Sequence, residues 1–304
     1  MQEAFQNNGF TISDIIENDI RMQMPHILDV LLIDRTTSTY KTPRNIIWAN
    51  DNYKGYGTAS YAATSQIRPE LITGKKGKLI MPRALKSAVL QKKRTRVNAE
   101  VFTPIWVVKK QNDTIDDNYK TDDIETYTRR KWLEITCGEA PYMATRYDME
   151  TGDIIQIGER VGFVDRKLAR INREVTDKAD WQRLVELAYK ASYGFEWNGD
   201  SLLLARENLL YTYRDYYMKK WGSLPIYGLF EDVAKIISYN VFQMDGLTYT
   251  IPLSGKRERV QTDQLSLFDL DKPQKVEWKI TPGKRVKIMN WDTTRMEFFD
   301  RGIK

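Results

Sequence analysis

The chain predicts an α/β fold with a mainly parallel sheet, and three observations carry that expectation. From Lys131 onward short apolar runs alternate with helical patterns: KWLEIT, then DRKLARINREV and ADWQRLVELAYKA, then SYGFEW, then a helical stretch from Asp200 through LLLARENLLYTYRDYYMKK. Strands interleaved with helices are the pattern of parallel sheets. With 304 residues, 41% of them hydrophobic and 12% aromatic, the chain can bury a sizeable core. No internal repeat or low-complexity tract interrupts the pattern, and no apolar run approaches the roughly 18 residues of a membrane span.

The elements follow in order. Residues 1–40 read as a small helical start, with Thr11 or Ser13 of TISDIIENDI as N-cap. RNIIWAN, residues 44–50, reads as a strand, and DNYKGYGTASYAATS after it is rich in turn residues. A basic segment leads into AEVFTPIWVVKK, and polar QNDTIDDNYKTDDIE, residues 111–125, reads as a surface loop before the strand KWLEIT. AKIISYNVFQ supplies a further strand ahead of Asp245, and RVKIM a last one. This divides the chain into an N-terminal region with the basic segment (1–98), a sheet-bearing region (99–250) and a C-terminal segment with an exposed loop and a final strand (251–304).

Composition excludes several chemistries. A single cysteine, Cys137, rules out an internal disulfide and a cysteine-cluster zinc site. The single histidine, His26 in MPHIL, weighs against a histidine-ligated metal or a Ser/His/Asp triad and is expected to be a packing residue. The N-terminus MQEAFQNNGF lacks the basic-then-apolar order of a secretory signal, so the expected compartment is the cytoplasm.

The net charge of +6 is concentrated. Residues 74–96 carry Lys75, Lys76, Lys78, Arg83, Lys86, Lys92, Lys93, Arg94 and Arg96 and no acid, while the other 38 basic residues face 41 acidic ones. Such a stripe neutralises phosphates and releases counterions from DNA. A solvated helix face is the alternative. The absence of interspersed acids, which would pair along a helix, favours nucleic acid.

In parallel sheets ligands sit at the carboxyl ends of the strands. There the sequence places Glu134-Ile135-Thr136-Cys137-Gly138-Glu139-Ala140, then Glu196, then Asp245. An acid after the second strand can accept both ribose hydroxyls of an adenosine, and one after the third can face the adenine amino group, which is the layout for S-adenosylmethionine. The first loop lacks the second glycine expected of such sites. Ala140 is the smallest substitute, provided its φ is negative. Pro141 is tolerable if it opens a helix.

These residues also carry a resemblance. AEVFTPIWVV resembles the Phe-Thr-Pro element of adenine-specific DNA methyltransferases, and WLEITCGEAPY their Asp-Pro-Ala-Cys-Gly-Ser-Gly loop. YGFEWNGDSLLLARENLL and NVFQMDGL are similar to their second and third motifs, in matching order. Across roughly residues 45–295 the chain is similar to small modification subunits of restriction systems. The resemblance implies a Rossmann-like S-adenosylmethionine-dependent methyltransferase fold with an N-terminal extension. It also implies that Phe102, Thr103 and Pro104 line the methionine end of the cofactor, that Glu134, Cys137, Gly138, Glu139 and Ala140 wrap it, and that Glu196 and Asp245 hold ribose and adenine. Its partners would be DNA and a specificity or restriction subunit. Residue 304 leaves little chain for the rest of a full sheet, so an incomplete version of the fold is expected.

Adenine methyltransferases use an (Asn/Asp/Ser)-Pro-Pro-aromatic tetrapeptide whose polar group binds the target amine while the ring stacks on the flipped base. No Pro-Pro occurs here. Two substitutes compete: Asn50 with Tyr53 after NIIWA, in permuted order, and Asn290 with Trp291 after RVKIM, in the usual order. The alternative function is therefore a catalytically inactive DNA-binding or clamp-binding module on the same fold.

Last, Gln264-Leu265-Ser266-Leu267-Phe268 resembles the peptide by which bacterial replication and repair proteins dock into the sliding clamp, with Leu267 and Phe268 as apolar anchors. The alternative is an amphipathic strand that packs into the protein's own core.

Overall fold

A computed structural model describes residues 18–98, 103–259 and 278–302. It is mixed α/β with a small parallel sheet. Three strands, β1 (Trp132–Glu134), β2 (Ser192–Glu196) and β3 (Val241–Gln243), lie side by side in that order and all run parallel. Leu133 stands opposite Tyr193, and Phe195 opposite Phe242. The middle strand is buried at every position. The helices are α1 (Asn18–Gln23), α2 (Pro25–Leu32), α3 (Pro69–Ile72), α4 (Ala88–Asn98), α5 (Ile105–Asp116), α6 (Ile124–Arg129), α7 (Phe163–Glu174), α8 (Lys178–Lys190), α9 (Gly199–Trp221) and α10 (Tyr227–Asn240). Helices α7 and α8 carry the chain from β1 to β2, and α9 and α10 from β2 to β3. Two antiparallel pairs follow, β4 (Lys256–Arg259) with β5 (Trp278–Thr281) and β6 (Lys287–Asn290) with β7 (Arg295–Phe298).

Local chemistry sets the helix ends. Asp177 caps α8 by accepting from the Ala179 and Asp180 amides, both at 2.9 Å. Helix α9 stops at Gly222, whose φ of +64° supplies the left-handed cap.

Helix α9 is buried from Gly199 to Tyr217 although it carries Arg206, Glu207, Asn208 and Asp215. Each of these finds partners, as buried polar groups must. Glu207 accepts from Arg21 of α1 at 2.8 and 2.7 Å. Arg206 donates to the Val241 and Ile33 carbonyls at 2.8 and 3.0 Å, and Asn208 to the Glu139 carbonyl at 3.1 Å. One apolar cluster therefore runs from Ile20 through Trp48 to Val241. A smaller cluster joins Tyr193, Phe195 and Phe242 to Val286 and Ile288.

Several expectations are corrected. RNIIWAN forms no strand; it is an extended run held by isolated contacts, Ile46 N–H to the Leu32 carbonyl at 2.9 Å and Trp48 N–H to the Ser65 carbonyl at 3.1 Å. The Gln243 side chain substitutes for a neighbouring strand there. Its carbonyl accepts from the Ile47 amide at 2.9 Å, and its amide donates to the Ile47 and Trp197 carbonyls, both at 2.8 Å. Residues 111–125 are not a continuous loop, because α5 runs on to Asp116 and α6 starts at Ile124, capped by Asp123. AKIISYNVFQ is helical up to Asn240 and extended only over β3. RVKIM does form β6. His26 is no packing residue: its side chain is 61% exposed and meets Glu231 at 3.4 Å. Thr11 and Ser13 lie outside the described residues. Among the described residues, no helix is long and apolar enough to cross a membrane, and no group of three or more His, Cys, Asp or Glu side chains could hold a metal ion.

Candidate functional site

At the carboxyl end of β1 the loop Thr136–Ala140 turns back over β2. The Cys137 amide donates to the Phe195 carbonyl at 2.8 Å, and the Gly138 amide donates to the Glu196 carboxylate at 2.9 Å. Thr136, Gly138 and Ala140 have φ of +46°, +55° and +64°. The condition that Ala140 have negative φ is thus not met: alanine stands in the glycine-like conformation, at a cost of about 1–2 kcal/mol. The surroundings enforce it. Ala140 N–H bonds the Cys137 carbonyl at 2.7 Å, and the preceding carbonyl takes the Asn208 amide. Pro141 opens a turn, not a helix. A Cβ built on Gly138 would meet nothing within 4 Å, so the backbone there borders open space.

The acids divide by role. Glu134 is buried and accepts from the Tyr142 and Met143 amides at 3.2 and 2.9 Å, bracing the turn from inside. Burial pushes its carboxyl up to about 8, against the pull of those two amides. Glu139 also faces inward, taking the Arg83 amide at 2.8 Å and the Tyr147 hydroxyl at 2.6 Å. Cys137 is buried and free, and burial pushes its thiol up. Neither Glu139 nor Cys137 presents its side chain to a ligand. Glu196 is the acid at the strand end. Besides Gly138 it accepts from the Asn198 amide at 3.0 Å and the Asn198 side chain at 3.2 Å. Burial raises its pKa while these donors hold it down. Asp245 follows β3, but its carboxylate caps its own turn through the Leu247 amide at 2.9 Å and the Thr248 hydroxyl at 2.7 Å.

Asp200, at the first turn of α9, is a hub that sequence reading missed. It is wholly buried and accepts from Asn50 at 3.0 Å, from the Tyr53 hydroxyl at 2.7 Å and from Arg94. Burial would raise its pKa, yet the charges of Arg94 and Lys86 and the hydrogen bonds from Arg94 and Tyr53 outweigh it and hold the carboxyl at about 2. The Asn50 side chain also donates to Asn198 at 3.2 Å. A continuous hydrogen-bonded chain thus runs from Gly138 through Glu196, Asn198, Asn50 and Asp200 to Arg94. Gly199 allows this close approach, since a Cβ there would stand 2.0 Å from the Ile47 carbonyl oxygen. The signal in the sequence was the Asn-Gly-Asp that follows Glu196.

The two candidate base-binding pairs part company. Asn50 is linked to Glu196 through Asn198 and Tyr53 bonds Asp200, but Tyr53 is 6% exposed and its ring sits 4.5 Å from the Trp48 ring, so no face is open to a base. Asn290 and Trp291 lie at the opposite end of the sheet. Trp291 donates to Asn240, just before β3, at 2.8 Å, and Asn290 braces the β6–β7 turn through the Asp292 amide at 3.1 Å. This pair is therefore separated from the Thr136–Ala140 loop by the length of the strands.

Thr103 and Pro104 stand at the start of α5, with the Thr103 side chain against Tyr142 of the loop. Phe102 lies outside the described residues, as do Gln264, Leu265, Ser266, Leu267 and Phe268. The basic segment is not one solvated stripe. Lys75, Lys76, Lys78, Lys92 and Arg96 are exposed, whereas Arg83, Lys86 and Arg94 are buried; the Lys93 side chain lies outside the described residues. The buried three are tied to the site: the Arg83 amide meets Glu139, and Lys86 and Arg94 hold Asp200 ionised. No protein-family model, no curated protein and no solved structure matches the chain.

Proposed function

We propose that this chain binds S-adenosylmethionine on a Rossmann-like half-sheet and serves adenine methylation of DNA. The observation that carries the reading is the Gly138–Glu196 contact. A loop kept in three left-handed positions, one of them a strained alanine, lies against a strand-end acid and opens onto free space. Strain of this kind is retained where a site requires it. Gly138 and Glu196 would hold the ribose end, with Thr103 and Pro104 flanking the loop; the bound cofactor would supply an electrophilic methyl group. Asp245 does not fit the adenine contact in its observed turn. The exposed cations of residues 75–96 would lie along the DNA backbone.

Calorimetric titration with S-adenosylmethionine and its demethylated product tests the reading. Folded wild-type protein should bind both, and Glu196→Ala should lose most of the affinity, since hydrogen bonds to a charged acceptor contribute about 1.5–3 kcal/mol each. No heat from either ligand with folded protein would overturn it.

A second reading, a non-catalytic DNA-binding module, is favoured by one observation: neither aromatic candidate offers a free ring beside Glu196. Cofactor binding without methyl transfer to duplex or single-stranded DNA would select it. The sliding clamp remains a proposed partner through residues 264–268. Replacing Leu267 and Phe268 by alanine should abolish clamp retention in a pull-down at unchanged melting temperature.

A further inference from the structure

Far from the strand ends lies a cleft of about 650 Å³, within the usual range of small-molecule sites. Helix α7, residues 154–160 and the last turns of α9 enclose it. It sits on the order of 30 Å along α9 from the Gly199 end that carries Asp200. Its charged lining is Arg160, Arg173, Lys219 and Lys220, with no Asp or Glu, and Ile155 and Ile157 add an apolar wall.

The cations have unequal commitments. Lys219 is exposed, Lys220 donates to the Asn172 carbonyl at 2.7 Å, and Arg173 meets Glu174 at 2.8 Å on the surface. Arg160 is 7% exposed. Its Nη2 donates to Asp215 at 2.8 Å and its Nε to the Ile155 carbonyl at 3.2 Å, but its Nη1 is buried with no hydrogen-bond partner. An unmet buried guanidinium N–H is uncommon and costly, and a cleft lined by four cations and no carboxylate of its own invites an anion. The planar guanidinium fork can donate to two oxygens of a phosphate at once.

We propose that this cleft binds the phosphate ester of a nucleotide. The phosphate lies among Arg160, Arg173, Lys219 and Lys220, and the sugar and base lie against Ile155 and Ile157. The same chemistry is offered by a free nucleotide and by a nucleic acid backbone.

The test uses the full chain and calorimetry with uridine 5′-monophosphate, with uridine as the uncharged control, alongside a fluorescent single-stranded oligonucleotide. Lys219→Glu with Arg173→Glu alters exposed side chains only, and circular dichroism verifies the fold. Wild type should bind the monophosphate and not uridine, and the double variant should weaken it by about tenfold or more. Oligonucleotide affinity falling in parallel assigns the site to strand phosphates; unchanged oligonucleotide affinity assigns it to free nucleotides. The proposal is overturned if wild type binds no monophosphate and the double variant binds the oligonucleotide normally, or if the double variant binds the monophosphate as wild type does. The double variant should bind S-adenosylmethionine as wild type does, so failure at this cleft is separable from failure at the cofactor loop.

Discussion

Arg94 of α4 and Asp200 of α9 form an ion pair in which the arginine side chain is 5% and the aspartate 0% exposed. Few contacts could tie the basic segment to the sheet more firmly, because a lone buried charge is far costlier than a paired one. Arg94→Met leaves Asp200 with Lys86, Asn50 and Tyr53 and should cost about 3 kcal/mol of stability, read as a fall in denaturant midpoint. The pair also sets the acid limit. A carboxyl held at about 2 against 3.8 in the unfolded chain contributes stability that is present above pH 4 and lost as pH falls toward 2. In Arg94→Met the carboxyl loses its strongest partner and its folded pKa rises toward or past 3.8, so the extra loss of stability between pH 4 and 2 should shrink or disappear. An unchanged midpoint would remove Asp200 from its role as hub.

How much of this was legible in the sequence varied with the residue. β1, β2 and helices α7 to α9 were readable as short apolar runs alternating with longer helical stretches, whereas β3 was read too long and took in the end of α10. The 45–50 segment was not. Its apolar alternation resembles a strand, but its partner is the amide of Gln243, distant in sequence. Glu196 was legible as a strand-end acid, whereas Asp200 read as an ordinary first-turn residue of a helix. The basic run misled for a related reason: a charge count cannot separate Lys92, in solvent, from Arg94, two residues on and turned inward. Trp291 was misplaced because sequence order says nothing about which end of a sheet a late hairpin covers.

The inward turn of Arg94 changes the DNA experiment. Reversing Arg94 would set two carboxylates together at Asp200 and unfold the site, so weakened DNA binding there would be uninformative. Lys75, Lys78, Lys92 and Arg96 are exposed and suitable. Charge reversal at these four should weaken binding to all sequences alike. It should also flatten the dependence of log affinity on log salt by about one for each phosphate that is no longer neutralised. Electrophoretic shifts over a salt series would measure this. Full affinity at low salt in the fourfold variant would make these residues a solvated face.

Lys167 gives a prediction that needs no ligand. It lies in α7 with 1% exposure, and its ammonium donates to the Arg130 carbonyl at 2.6 Å. Burial pulls its pKa from 10.5 down to about 7. Between those values the unfolded chain binds the proton more readily than the folded protein does, so folding stability should rise with pH from about 7 to 10.5 and be weakest below 7. Lys167→Met keeps the long apolar stem and removes the charge. It forfeits one hydrogen bond of about 1 kcal/mol to the Arg130 carbonyl but relieves a desolvation cost on the order of a few kcal/mol at neutral pH. The variant should therefore melt higher than wild type at pH 6–7, and its advantage should shrink and vanish as pH approaches 10.5. Thermal melts of both proteins across that range decide the matter. A wild type whose melting temperature is flat over this window, or a methionine variant that melts lower at pH 6, would show that Lys167 keeps its proton in the folded protein.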